Sequence, residues 1–194
     1  MEDRREEPVF LEPVVSVCPL GDATAVDVRV VAANVQAVFD LGVDILERSP
    51  LPEEAFLADR RQYDAAAVLR HLDAMVRPPF RKILGVTTVD LCIPVFTHVF
   101  GEAHLGGRAA VVSSFRLRTN ENGFKASIET YTHRLIKVAL HELAHTRNLV
   151  HCDNPRCLMH FSPKVNHLDR LPILFCERCR YLLTQDWRRP AGMG

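Results

Sequence analysis

The sequence predicts an α+β fold of α/β-like character: a mixed twisted sheet packed by helices, one long helix through the core and a small C-terminal subdomain. Three observations predict it. Strand-like and helix-like segments alternate up to residue 118, residues 125–149 run without proline or glycine, and the segment after them is rich in cysteine and histidine. With 194 residues, 47% hydrophobic and 25% charged, the chain is long enough for one compact domain carrying an appendage. Large-scale disorder is not expected from that composition.

In chain order, VDVRVVAA (residues 26–33) is a β-branched run suited to a strand, and NVQAVFDLGV after it carries apolar residues at helical spacing before Gly42. VDILE reads as a second strand. Tyr63, Ala66, Leu69, Leu72 and Val76 recur at three-to-four spacing ahead of Pro78 and Pro79, which predicts a helix over 61–77. KILGVTTVDLCIPVF and, after the loop GEAHLGGR, AAVVSSFRLR are strand candidates rich in β-branched residues. A turn at Asn122-Gly123 leads into the longest helix, KASIETYTHRLIKVALHELAHTRNL. From Ile136 to Ala144 it is apolar on nearly all sides, broken mainly by Lys137, His141 and Glu142, as expected of a helix threaded through a core.

The 24 basic residues balance 24 acidic ones, so no global field favours nucleic acid or an anionic membrane. The N-terminal MEDRREEPVF lacks the apolar core of a signal peptide, and no apolar run approaches the roughly 18 residues needed to span a bilayer. A cytoplasmic protein is expected, with no membrane partner. DWRRPAGMG at the other end reads as a frayed tail.

Four of the six cysteines, Cys152, Cys157, Cys176 and Cys179, group as Cx4C followed by CxxC, with 18 residues between the pairs. Four thiolates so spaced suit a closed tetrahedral zinc site with bonds near about 2.3 Å, and in a reducing compartment they read as ligands rather than disulfides. Cys18 and Cys92 stand alone in apolar surroundings and read as buried structural thiols.

His141 and His145 lie four apart on the long helix, so both imidazoles leave one face and can share a metal. Glu142 projects about 100° around the helix, within reach of a metal-activated water without ligating the ion. A helix ending near Asn148 lets the chain turn and return His151 to the same centre. Three histidines with an open fourth position form a catalytic zinc geometry, with Glu142 as general base.

These residues resemble a known family. His141, Glu142, His145 and His151 are similar to the metzincin metalloprotease motif, and Met159, eight residues after the third histidine, stands where such proteins place a Met-turn. HCDNPRCLM followed by FCERC narrows the resemblance to the archaemetzincins, as does the segment from residue 84 to 118. The resemblance implies a single metalloprotease domain over 1–194: a mixed-sheet body with its active-site helix over 1–150, and a Met-turn and four-cysteine zinc subdomain over 151–185. It also implies two Zn2+ ions, one catalytic and one structural, a peptide or protein substrate, and a monomer. By the same analogy, AAVVSSFRLR is either the edge strand that receives an extended substrate or an ordinary core strand.

Two positions depart from the family pattern. Phe161 stands where some metzincins carry a tyrosine that assists the oxyanion, and Asn148 stands where the motif has glycine. Asparagine tolerates φ > 0 best among the other residues, so a left-handed Asn148 is predicted. His160 reads as packing rather than ligation, and His98, His104, His133 and His167 receive no role.

Two alternatives remain beside the peptidase: a catalytically silent zinc-stabilised scaffold that binds peptides, and a nucleic-acid-binding zinc ribbon. Residues 151–180 carry five Arg and Lys against three Asp and Glu. That surplus is too small for a phosphate footprint, so no nucleic-acid partner is expected.

Overall fold

The computed structural model describes residues 13–187. MEDRREEPVF and the end of the tail, from Arg188, lie outside the described residues, whereas Asp186 and Trp187 close the last helix. Nine strands and five helices follow in the order β1 (Pro13–Pro19), α1 (Ala25–Phe39), β2 (Gly42–Ile45), β3 (Phe56–Leu57), β4 (Gln62–Asp64), α2 (Ala65–Met75), β5 (Lys82–Thr87), β6 (Leu91–Ile93), β7 (Phe96–Val99), β8 (Gly101–Ala103), β9 (Ala109–Ser113), α3 (Ile128–His145), α4 (Val165–Arg170) and α5 (Glu177–Trp187).

The main sheet has the order β2-β1-β5-β9-β8, parallel except for β8, which runs antiparallel to β9 at the edge. A smaller sheet, β3-β4-β6-β7, mixes both directions. Side chains alternate across the main sheet. Val15, Val17, Leu84, Val86, Ala110 and Val112 face α1, α3 and the C-terminal segment, while Cys18, Ile83, Ala109 and Val111 face α2. The result is the expected mixed α/β architecture, with helices on both faces.

Residues 26–33 correct the sequence reading, because they form the first half of α1 rather than a strand. Val28, Val31, Ala32, Val35 and Phe39 are buried at helical spacing while Val26 is exposed, and Thr24 caps the helix by accepting from the Asp27 N–H at 3.1 Å. β1 was not anticipated at all. It is a buried parallel strand, whose continuous apolar run lacks the alternation that marks a half-exposed strand. The helix expected over 61–77 begins later, at Ala65, because β4 occupies Gln62–Asp64 and the Asp64 carboxylate caps the first turn.

α3 is threaded through the core as its composition required. Leu135, Leu140 and Leu143 are almost fully buried, each contributing roughly 1.5–3 kcal/mol relative to exposure. Its buried Arg134 is satisfied by a bidentate pair with Asp169 at 2.7 Å and by the Leu117 and Thr119 carbonyls. The same core cluster continues into Cys157, Leu158, Met159, Leu168, Phe175 and Cys179, so the C-terminal segment closes over the face that α3 presents. No described helix is long and apolar enough to cross a membrane.

Candidate metal centre and active-site cleft

The C-terminal end of α3 presents His141 and His145 on one face. The helix stops because Asn148 takes φ = 60°, the left-handed conformation predicted for it. The Asn148 N–H then donates to the His145 carbonyl (3.0 Å) and the Leu149 N–H to the Ala144 carbonyl (3.3 Å), closing the last turn. Its side chain stands against Gly106, where any Cβ would overlap the Asn148 amide. The Gly106 N–H in turn donates to the His145 carbonyl at 2.9 Å.

This turn does more than return His151. It brings the Leu149 carbonyl back to accept from His145 Nδ1 at 2.6 Å, while the Leu158 carbonyl accepts from His141 Nδ1 at 2.8 Å. Each carbonyl can only accept, so the proton of each ring is fixed on Nδ1 and each Nε2 carries a lone pair. The two Nε2 atoms face each other at 3.0 Å. Lone pairs that close repel unless a cation lies against both, and about 3.3 Å is the separation expected of two nitrogens on one tetrahedral zinc. His151 completes the group, its ring centroid 5.3 Å from His141 and 4.9 Å from His145, with the three ligand atoms mutually within 4.8 Å.

Electrostatics agree with that donor set. Burial, and then the neighbouring His145, pushes the His141 imidazole down to about 3, and burial lowers His145 and His151 as well. All three are therefore neutral at pH 7, the form that binds metal. The Glu142 carboxyl makes no hydrogen bond to any described residue, although the backbone carbonyl of the residue accepts from the Thr146 N–H at 3.4 Å. Burial first, and Glu102 second, hold its carboxyl well above the ordinary range. A cation beside it would reverse that, because an opposite charge favours the ionised acid.

The four cysteines form the second group. All are reduced, their Sγ atoms lie within 4.8 Å of one another, and Cys152 and Cys176 are 3.9 Å apart. A zinc tetrahedron with bonds of about 2.3 Å requires sulfurs about 3.8 Å apart. The Cys176 N–H donates to Cys157 Sγ at 3.4 Å, and hydrogen bonding pulls the Cys176 thiol down to about 7, whereas burial raises Cys157 and Cys179. His151 and Cys152 are consecutive, so the two groups meet at one peptide bond.

A cavity of about 460 Å³ opens over the histidines. Its roof is β7 with the aromatic rings of Phe96 and Phe161, 6.3 Å apart, and Phe161 also packs 5.0 Å from His151. Met159 is fully buried, and its carbonyl accepts from the Cys152 N–H at 2.9 Å. His160 packs as expected, donating from Nδ1 to the Cys152 carbonyl at 3.0 Å. His98, given no role from the sequence, lines the cavity, where burial holds it below the ordinary imidazole value.

Of the two readings of AAVVSSFRLR, the structure supports the ordinary core strand and not the edge strand. β9 lies between β5 and β8, and the edge facing the cleft is β8. The Ser113 N–H donates to the Phe100 carbonyl (2.8 Å) and the His104 N–H to the Ala109 carbonyl (3.1 Å), so residues 100, 102 and 104 bond inward to β9. By alternation, the N–H and C=O groups of Gly101 and Ala103 point outward from the sheet. Gly101 also lies against Glu142: a Cβ there would lie 2.6 Å from Glu142 Cγ and 2.7 Å from the Val111 carbonyl oxygen. Neither Gly101 nor Glu102 was singled out from the sequence, because GEAHLGGR carries the composition of a loop.

Comparison with known proteins identifies the family. The model for Peptidase family M54 matches residues 23–185. The archaemetzincin of Archaeoglobus fulgidus is 40% identical over 152 residues, covering 78% of this chain and 88% of its own. Among solved structures, the Methanopyrus kandleri archaemetzincin superposes with a TM-score of 0.79 at 32% identity, covering 91% of this chain and 97% of that one. A zinc-dependent peptidase from Methanocorpusculum labreanum gives 0.78 at 30% identity, covering 87% and 99%. The chain belongs to peptidase family M54, the family of the archaemetzincins, and is a zinc metallopeptidase, a hydrolase of peptide bonds.

Proposed function

We propose that the protein hydrolyses extended peptides at a zinc held by His141, His145 and His151, with Glu142 as general base, and that a second zinc on Cys152, Cys157, Cys176 and Cys179 is structural. The observation that carries this reading is the pair of Nε2 lone pairs facing each other at 3.0 Å beside an unpaired carboxyl in an open cavity. When bound, zinc supplies Lewis acidity, which makes water nucleophilic near neutral pH and polarises a carbonyl.

The remaining steps belong to the chain. Gly101 and Ala103 offer outward backbone groups to an extended peptide, which would join the main sheet as a further strand. Phe96 and Phe161 shield one side of the cleft from bulk water. Glu142 takes the proton of the attacking water and delivers it to the leaving amine, a role that needs a carboxyl free of protein partners. Phe161 has no hydroxyl, so stabilisation of the oxyanion falls to other groups.

The test against a silent scaffold is metal removal. The zinc-loaded protein is expected to carry two zincs per chain by atomic absorption and to cleave a quenched-fluorescence peptide mixture. Chelation should stop cleavage and added zinc restore it. One zinc held by the thiolates, with no cleavage, would favour the scaffold.

Gly101→Ala gives a finer check. The added methyl must displace Glu142 Cγ, so kcat is expected to fall tenfold or more, on the scale of about 10²-fold for a displaced catalytic group. KM and zinc content should change little. An equal loss in both kinetic parameters would point to the edge strand rather than the base.

A further inference from the structure

The cleft extends past His141 along α3 to a group that peptide hydrolysis does not use. Lys137 lies four residues before His141, on the same helix face and one turn, about 6 Å, away. It lines the same cavity as His141 and Glu142, next to Val138, Leu168 and Leu171, and only 5% of its surface is exposed. Its ammonium forms no ion pair with any described residue. Nζ donates to the Leu168 carbonyl at 3.0 Å and reaches the Asp169 carbonyl only at 3.5 Å. The nearest carboxylate, on Asp169, is occupied, since both of its oxygens accept from Arg134 at 2.7 Å.

A buried ammonium has three donors, and one good contact plus one long one leaves it under-satisfied and without a counter-charge. An apolar pocket with such a cation in its wall favours a ligand that is apolar along its length and anionic at its tip. Burial also holds the Lys137 amine below its ordinary value, outweighing the pull of the Asp169 carboxylate that Arg134 already engages.

We propose that Lys137 makes this peptidase selective for a carboxylate in the pocket beside the catalytic histidines, carried by an Asp or Glu side chain or by the C-terminus of a short peptide. The inference rests on the peptidase reading and narrows it to acidic substrates. A structural role alone, as a cap on the α4 carbonyls, predicts no substrate preference.

The experiment compares peptide pairs that differ only by Glu against Gln at each position flanking the cleaved bond, and pairs with a free or amidated C-terminus. At one position the zinc-loaded protein is expected to favour the carboxylate in kcat/KM by on the order of ten- to a hundredfold, as for a hydrogen bond to a charged group. The Glu/Gln pairs identify a side-chain carboxylate and the amidated pairs a terminal one. Lys137→Met should bring the ratio to about one, and Lys137→Arg should retain most of it. Because each ratio is measured within one protein sample, partial unfolding of a variant lowers both members and leaves the ratio intact.

The same ratios, read as Kd by calorimetry on the Glu142→Ala protein, need no turnover. Absence of cleavage by the zinc-loaded wild type together with a retained binding ratio would sink the peptidase reading and keep this one. Ratios near one for both peptide sets, or a preference that survives Lys137→Met, would overturn it.

Discussion

Glu142→Ala is expected to lower peptide hydrolysis by about 10²–10⁴-fold or more while both zincs stay bound, because in the proposed mechanism the residue acts on the proton of water and is not a ligand. Folding should not suffer. The Glu142 carboxyl is held well above its ordinary range by burial and has no partner within the described protein. A carboxyl whose folded-state pKa is raised contributes stability only below its unfolded value, and loses it as pH rises toward the folded one. At neutral pH the metal-free wild type therefore carries a penalty that the alanine variant lacks, and the variant should melt at the same temperature or higher. Turnover of a fluorogenic peptide, zinc content and thermal melts of the metal-free forms check all three statements. Hydrolysis that persists at full zinc content would remove Glu142 from the mechanism.

Cys157→Ser should have the largest effect on stability. Cys157 is fully buried in the same core as Leu158, Met159 and Phe175, so the change removes a thiolate from the proposed zinc site and leaves a hydroxyl among apolar neighbours. A loss of about 3 kcal/mol or more is expected, a fall in Tm of roughly 6–12 °C at this chain length. At least one zinc should be lost from the native complement. Activity should fall with it, because His151 is bonded directly to Cys152 and Leu158, whose carbonyl orients His141, follows Cys157. An unchanged melt and an unchanged zinc count would show that the thiolates hold no metal.

The sequence made the chemistry more legible than the frame around it. His141, His145, His151 and the four cysteines could be grouped because ligand spacing on a helix and in paired cysteines is a short-range property, and the structure does bring each group together. Asn148 was legible for the same reason, since its φ follows from the demand to turn within a few residues. Residues 26–33 misled because Val at alternate positions satisfies a strand template, although Thr24 and Asp27 already supplied a helix start. β1 and the edge position of β8 were hidden, since which strand borders which is decided by pairing between distant segments. Lys137 was recorded only as an interruption of an apolar run. Its spacing from His141 held the information that it shares the histidine face.

The course of the chain at Phe100 bears on how fast the cleft can exchange its contents. Phe100 alone separates β7, in the small sheet, from β8, in the main one, so roof and edge are one continuous piece of backbone. The roof is further tied to the small sheet, where Arg60 and Gln62 donate to the Phe96 and Thr97 carbonyls at 2.9–3.0 Å. Walls joined in this way move together rather than as separate domains. The two aromatic rings at the mouth of the cleft, Phe96 and Phe161, are exposed, and exposed side chains turn in picoseconds to nanoseconds. Contents therefore exchange past them on the timescale of side-chain rotation rather than the microseconds to milliseconds of a domain closure.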